Sequence, residues 1–175
     1  MANLFFYWVQ YYFDGVLKTG TGKSRLFSVI LMLSMAAGGW ICDRAQARLG
    51  RRRGRALVAA AGLAGSAVFV VLGLLRRDPA WVVTWFSLAM ASIGACEGPF
   101  WTTAAELGGA RGGTAAAIMN TGGNAGGVLS PVVTPLLSKY LGWTGGIALA
   151  AVFSLLGAVL WIWIRPPERT PPPSA

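Results

Sequence analysis

The stretch GGWICDRAQARLGRRRGR, residues 38–55, decides how this chain folds. It carries six arginines and a single acid, Asp43, and it separates two segments, residues 26–42 and 56–75, that contain no charged residue. A short loop this rich in arginine between two apolar segments resists translocation across a membrane. The pattern therefore predicts two membrane-spanning helices joined by a cytoplasmic loop at residues 44–55.

The composition of the whole chain is typical of a membrane protein. Charged residues make up 12% of it, about half of their share in an ordinary soluble domain. The 24 glycines and 8 tryptophans suit helices that pack closely and place tryptophan at the level of the lipid headgroups. The net charge of +9 lies beside the apolar segments, so its expected partners are anionic lipid headgroups in the bilayer and not nucleic acid.

The chain offers little for catalysis or metal binding. It has no histidine, and its two cysteines, Cys42 and Cys96, lie in apolar surroundings, which argues against a metal cluster and a disulfide framework. No nucleophile is paired with a base in the pattern that covalent catalysis needs. We therefore expect neither an enzyme nor a bound metal or cofactor.

Hydropathy predicts a single membrane domain of six spans, followed by a disordered proline-rich cytoplasmic tail at residues 166–175. The predicted spans are residues 4–17, 25–42, 56–75, 80–105, 114–138 and 144–164, with Pro79 opening the fourth. The first is shorter than the roughly 20 residues that a crossing requires. An even number of spans puts both ends on one side, which the arginine-rich loop predicts to be the cytoplasmic side of the inner (plasma) membrane.

Polar side chains within the predicted spans are the candidates for a substrate site. Such groups are costly in a bilayer and usually face a cavity or a partner. A polar-aromatic stripe follows the first span, an acid and a tryptophan lie one turn apart in the fourth, and two asparagines lie one turn apart in the fifth. The alternative for each is hydrogen bonding between helices. The residues expected to face substrate are Tyr7, Gln10, Tyr11, Glu97, Trp101, Asn120 and Asn124.

The fifth span also predicts close contact with another helix. Its glycines form two interleaved small-xxx-small pairs, which allow backbones to approach. Two prolines further along should interrupt the hydrogen-bond ladder and kink the helix. The packing glycines are Gly122 with Gly126 and Gly123 with Gly127, and the prolines are Pro131 and Pro135.

Three motifs give the chain a resemblance to the C-terminal half of major facilitator superfamily transporters. They are Gly39-x-x-x-Asp43-Arg44 with the trailing RRRGR, GPFWTTAAEL at residues 98–107, and RGGTAAAIMNTGGNAGGVLSP at residues 111–131. The last two resemble the anion:cation symporter family of hexuronate, galactonate and phthalate carriers. The first departs from the superfamily motif, because the glycine usually three residues after the Asp appears only at Gly50. The resemblance implies an all-α bundle of spans seven to twelve of a twelve-helix fold, with a truncated first helix.

The resemblance also implies a role for the arginine-rich loop. A carboxylate at a cytoplasmic helix end can cap the N-terminus of a neighbouring helix, here the one expected to start near Arg111. Such a contact would hold the cytoplasmic side shut and break when the carrier opens inward. The residues of this expected conformational latch are Gly39, Asp43, Arg44, Arg51 and Arg52.

The function implied by the resemblance is secondary transport of a small organic anion, a sugar acid or another carboxylate. A proton or another cation is the expected coupling ion, and alternating access is the expected mechanism. The expected partner is a missing N-terminal half or a second copy, and a truncated reading frame, a split half and a homodimer all stay open. The alternative is a non-transporting membrane remnant or scaffold whose polar residues only pack helices.

Overall fold

The computed structural model describes residues 21–164. They form α1 (Thr21–Leu49), α2 (Arg51–Leu74), α3 (Pro79–Gly94), α4 (Glu97–Leu107), a 3-10 turn (Gly109–Arg111) and α5 (Gly112–Leu160). This part of the chain contains no β-strand, so the predicted all-α class is confirmed. The predicted first span and the tail lie outside the described residues, as do Tyr7, Gln10 and Tyr11.

Two helical segments are long and apolar enough to cross a membrane, namely Arg51–Leu74 and Ala80–Leu107. The 3-10 turn and α5 together form two arms, Gly109–Gly142 and Thr144–Leu160, which are bent by 118° and give a third candidate if they count as one broken span. A count of six spans stays a prediction. The long apolar helices nevertheless agree with the membrane protein that the composition predicts.

The arginine-rich stretch is helical over most of its length and is not a long loop. Arginine is a good helix former, so α1 continues through residue 49 and α2 begins at residue 51. The connection is Gly50 alone, whose φ of 81° is strained for residues other than glycine. The turn is so tight that a Cβ at Gly54 would lie 2.5 Å from the backbone nitrogen of Gln46.

The predicted fourth span is divided into α3 and α4 by a break at Ala95 and Cys96. Pro99 explains the break, because proline has no N–H and its ring clashes with the carbonyl four residues earlier, that of Ala95. At the other end, Pro79 opens α3 as predicted, and the Asp78 carboxylate accepts a hydrogen bond from the Ala80 N–H at 2.8 Å.

Helix α1 crosses the chain at this break between α3 and α4, and the two backbones are in contact there. A Cβ at Gly38 would lie 2.2 Å from the Cα of Ala95, and one at Gly98 would lie 3.8 Å from the Cα of Gly39. Only glycine permits an approach as close as that at Gly38. The two glycines that begin the arginine-rich stretch therefore hold α1 against the start of α4.

The core lies where α2 packs against α3 and α5. Phe86 and Met90 of α3 are fully buried beside Val70 of α2. At the end nearer the arginines, Phe100 of α4 meets Trp161 edge to face, with ring centroids 5.0 Å apart. These contacts hold α3 against α2 and α4 against the end of α5.

Helix α5 runs through both prolines that were expected to interrupt it. Its only residue with non-helical backbone angles is Gly142, with φ 71° and ψ 167°. The sharp bend therefore lies in the predicted connection between the fifth and sixth spans and not at Pro131 or Pro135.

Candidate functional site

A buried arginine joins three helices at the end of the bundle where α1 meets α2. Arg55 is 6% exposed. Its Nη2 donates to Oε1 of Glu106 at 3.1 Å, and its Nη1 donates to Oε2 of the same carboxylate. Its Nε donates to Oε1 of Gln46 at 2.9 Å. One guanidinium thus links α2 to the end of α4 and to α1 in a bidentate arrangement, the geometry that favours arginine.

The Glu106 carboxylate also binds Arg51, one helical turn before Arg55. The Arg51 side chain is 55% exposed and that of Arg55 is 7% exposed. An exposed ion pair adds little stability, whereas breaking a buried one leaves a charge without compensation. Arg55 is therefore the structural centre of this cluster, and Arg51 is its solvent-facing member.

Sequence reasoning missed three members of the cluster, namely Gln46, Arg55 and Glu106. Two signals were available. Arg51 and Arg55 are spaced by four residues and so share a helix face, and Glu106 is a lone acid near the end of the GPFWTTAAEL motif.

The other expected latch residues lie around this cluster in different roles. The carboxylate of Asp43 accepts a hydrogen bond from Nε2 of Gln46 at 3.4 Å. This hydrogen bond stays within one turn of α1. The side chain of Arg111 does not cap the N-terminus of α5, and a cap of that N-terminus by Asp43 stays a prediction. Arg44 stacks on Trp40, with its Cζ 3.5 Å from the ring centroid.

Two of the expected latch residues, Arg52 and Gly39, are not part of the Glu106 cluster. Arg52 is exposed and forms no ion pair with a described residue. Gly39 instead belongs to the backbone contact between α1 and α4, where its Cα faces Gly98.

Among the expected substrate-facing residues, Glu97 and Trp101 form a pair. The Trp101 indole N–H donates to Oε2 of Glu97 at 3.1 Å. Glu97 is the first residue of α4, where the positive end of the helix dipole favours an acid. The break between α3 and α4 therefore places this carboxylate at the start of a half-helix, with the indole 40% exposed beside it.

Asn120 and Asn124 lie on the first arm of α5 and are both exposed. Neither side chain makes a hydrogen bond with a described residue, and none joins them to Glu97. Helices α4 and α5 do pack against each other. That the three residues border one cavity stays a prediction.

Two of the four glycines between Asn120 and Val128 form an open face of α5. A Cβ at Gly122 or Gly126 would meet no atom within 4 Å, whereas Gly127 is buried. Helix packing by Gly122 and Gly126 would therefore need a partner other than the described residues.

Comparison with known proteins gives one family and several transporters. The chain matches the family model for the Major Facilitator Superfamily over residues 26–175. The probable anion transporter 4, chloroplastic, of Oryza sativa subsp. japonica is 26% identical over 159 residues, which cover 88% of this chain and 27% of that protein. The ascorbate transporter, chloroplastic, of Arabidopsis thaliana is 25% identical, with 88% and 29% covered.

A bacterial protein is similar over a shorter stretch. The probable sulfoacetate transporter of Cupriavidus necator is 33% identical over 106 residues, which cover 60% of this chain and 25% of that protein. The chain thus spans between a quarter and a third of the length of these three relatives. No solved structure gives a significant match.

Proposed function

Because this chain belongs to the major facilitator superfamily, we propose that it supplies the C-terminal half of a proton-coupled carrier for a small organic anion. The cargo would be a sugar acid or another carboxylate. Relatives named as anion, ascorbate and sulfoacetate transporters support an anionic cargo. The carrier would work by alternating access between two halves, in the plasma membrane, with both ends of this chain in the cytoplasm.

The observation that carries this proposal is the exposure of Asn120 and Asn124 on an apolar helix. Polar side chains in a membrane helix need a partner, a cavity or a ligand. The hydroxyl of Thr121, in the same stretch, satisfies itself by donating to the Ala117 carbonyl at 2.9 Å, but the two amides have no such partner among the described residues. Amides offer both donors and acceptors, which suits a carboxylate with hydroxyl groups.

Glu97 and Trp101 would form the second wall of the site. The indole N–H orients the carboxylate, and acids within membrane spans commonly serve in the proton relays of transporters. In the proposed cycle Glu97 responds to the coupling proton, and Trp101 presents its ring to the cargo.

The cluster around Glu106 would be the cytoplasmic latch. Arg55 and Arg51 tie the start of α2 to the end of α4, and Asp43 joins them through Gln46. Opening of the carrier toward the cytoplasm would require at least the exposed Arg51 contact to loosen. Arg44 and Arg52 would act there through the charge that they add.

The test is counterflow in liposomes with a sugar acid and the matching neutral sugar. We expect the chain joined to a six-helix N-terminal half of the same family to exchange the acid and to leave the sugar untouched. We expect the chain alone to exchange neither, because half of the proposed site is lacking. Saturable uptake by the chain alone would point to a homodimeric carrier, and no uptake by a well-folded joined protein would favour the scaffold alternative.

A further inference from the structure

Four arginines around the turn between α1 and α2 lie outside the Glu106 cluster. All four are exposed, and the ion pairs found among the described residues use Arg51 and Arg55 instead. The turn therefore has a positive surface whose arginines form no ion pair with a described residue, and Asp43 is the one acid of the stretch, residues 38–55, that contains them. The four are Arg44, Arg48, Arg52 and Arg53.

The fold gathers these arginines into one patch. The helices touch at Gly54 and Gln46, and their connection is a single residue. Two of the arginines lie on the last two turns of α1 and two on the first turn of α2, all within a few residues of the contact. The N-terminus of α2 has no acid in its first turn and no side-chain cap, so the helix dipole adds to the positive potential.

An apolar border fixes the depth of the patch in a membrane. Trp40, Ile41 and Leu49 of α1 and Leu57 of α2 are each between 48% and 56% exposed. The Arg44 guanidinium lies over the Trp40 ring, an arrangement that combines a cation–π contact with the preference of tryptophan for the headgroup level. A soluble anion would contact only the arginines. A phospholipid would contact the arginines with its headgroup and the exposed apolar side chains with its acyl chains.

We propose that this arginine surface, Arg44, Arg48, Arg52 and Arg53 with the bordering Trp40 and Leu49, binds the headgroups of anionic phospholipids. The phosphates would meet the guanidinium groups, which suit bidentate contact with phosphate oxygens. The acyl chains would lie along the exposed apolar side chains. The same leaflet that contains the end of α1 therefore supplies the ligand.

The sequence provides a matched control for this proposal. Arg52 and Arg53 begin α2, and a second adjacent pair, Arg76 and Arg77, follows its end and is also exposed. R52Q/R53Q and R76Q/R77Q remove the same charge from opposite ends of one helix. The second pair lacks neighbours such as Arg44 and Arg48, so its loss should matter less.

The experiment measures how many phosphatidylglycerol and phosphatidylcholine molecules the detergent-purified chain retains, by native mass spectrometry over a lipid titration. Both ends of α2 are accessible in detergent, so the result does not depend on membrane orientation. Each arginine near an anionic surface contributes about fivefold in affinity. R52Q/R53Q should therefore weaken phosphatidylglycerol binding about 25-fold, and R76Q/R77Q should leave it within about twofold of the parent.

Two further variants separate charge from folding. R52K/R53K keeps the charge and should bind within about threefold of the parent, and R48Q alone should lose about fivefold. Equal losses in R52Q/R53Q and R76Q/R77Q would overturn the proposal, as would equal retention of phosphatidylcholine. Inorganic phosphate that competes as well as the lipid, concentration for concentration, would also overturn it, because the apolar border would then contribute nothing.

Discussion

Nη2 of Arg55 lies 3.1 Å from Oε1 of Glu106 and joins the start of α2 to the end of α4. The two residues are 51 positions apart in the sequence, so the contact closes one end of the helix bundle. It also places the α1–α2 turn and the α4–α5 connection at the same end. That arrangement agrees with the antiparallel order expected for consecutive spans.

The first prediction compares the two arginines that share Glu106. Arg55→Gln removes the buried, bidentate partner of the largely buried Glu106 carboxylate and should lower the free energy of unfolding by about 3–5 kcal/mol. Arg51→Gln removes an exposed contact and should cost less than about 1 kcal/mol. Unfolding in mixed detergent micelles measures both, and a larger loss in Arg51→Gln would contradict the assignment of Arg55 as the centre of the cluster.

The second prediction concerns adjacent glycines in α1. Gly38→Ala places a Cβ 2.2 Å from the Cα of Ala95, so the helices must move apart, which we expect to cost about 1–3 kcal/mol. Gly39→Ala meets no atom within 4 Å and should be neutral or slightly stabilising, because alanine favours the helix. The melting temperatures of the two variants in one detergent provide the comparison, and equal values would contradict the close crossing.

The ends of α1 and α2 show what a sequence can and cannot predict here. The apolar runs at residues 26–42 and 56–75 correctly indicated two helices, because a segment buried in a bilayer must be apolar. They did not predict where α1 ends and α2 begins, because hydropathy marks where a helix leaves the apolar region and not where the helix stops. Arg48 and Arg51 continue their helices outside that region.

The site was less predictable for a related reason. Asp43 was conspicuous as the lone acid of its stretch, yet its partner is Gln46 on the same helix. Glu106 binds arginines more than 50 positions away, and only the packing of α4 against α2 reveals that pairing. Glu97 and Trp101 are one helical turn apart, so their spacing in the sequence was enough to predict that they lie side by side.

The third prediction is that the α1–α2 turn faces the cytoplasm. Gly50 is a poor place for a cysteine, because its φ is 81°. Ala47, which is exposed on the last turn of α1, and Leu75, at 73% exposure, lie near opposite ends of α2 and suit labelling better. With Cys42 and Cys96 replaced by alanine, an impermeant maleimide should label Ala47→Cys only from inside and Leu75→Cys only from outside. The reverse pattern would overturn the proposed orientation.

The fourth prediction addresses the open glycine face of α5. Gly126→Leu meets no described atom within 4 Å of its Cβ, so the melting temperature of the chain alone should stay within a few degrees of the parent. If this face packs against another half of the carrier, the same variant should weaken association of the two halves, because close contact needs a small residue. Co-purification of separately tagged halves measures this, with Ile118→Leu, 68% exposed on the same arm, as the control.

The last prediction tests the proposed substrate site in the chain joined to an N-terminal half. Loss of an amide that hydrogen-bonds a buried anion should cost about 1–3 kcal/mol, or roughly five- to 150-fold in apparent affinity. Asn120→Ala and Asn124→Ala should therefore weaken uptake while expression stays near normal. Thr121→Ala is the matched control, because its hydroxyl already bonds within its own helix, and it should transport like the parent.

Glu97→Gln completes this test through its pH dependence. It keeps the size of the side chain and an oxygen that can accept from the Trp101 indole, but it removes the titrating group. If the acid exchanges the coupling proton, the variant should lose the dependence of uptake on an inward proton gradient while counterflow of the cargo persists. If the acid only contacts cargo, the apparent affinity should change and the gradient dependence should stay. Wild-type behaviour of Asn120→Ala, Asn124→Ala and Glu97→Gln together would show that these polar groups only hold helices in place.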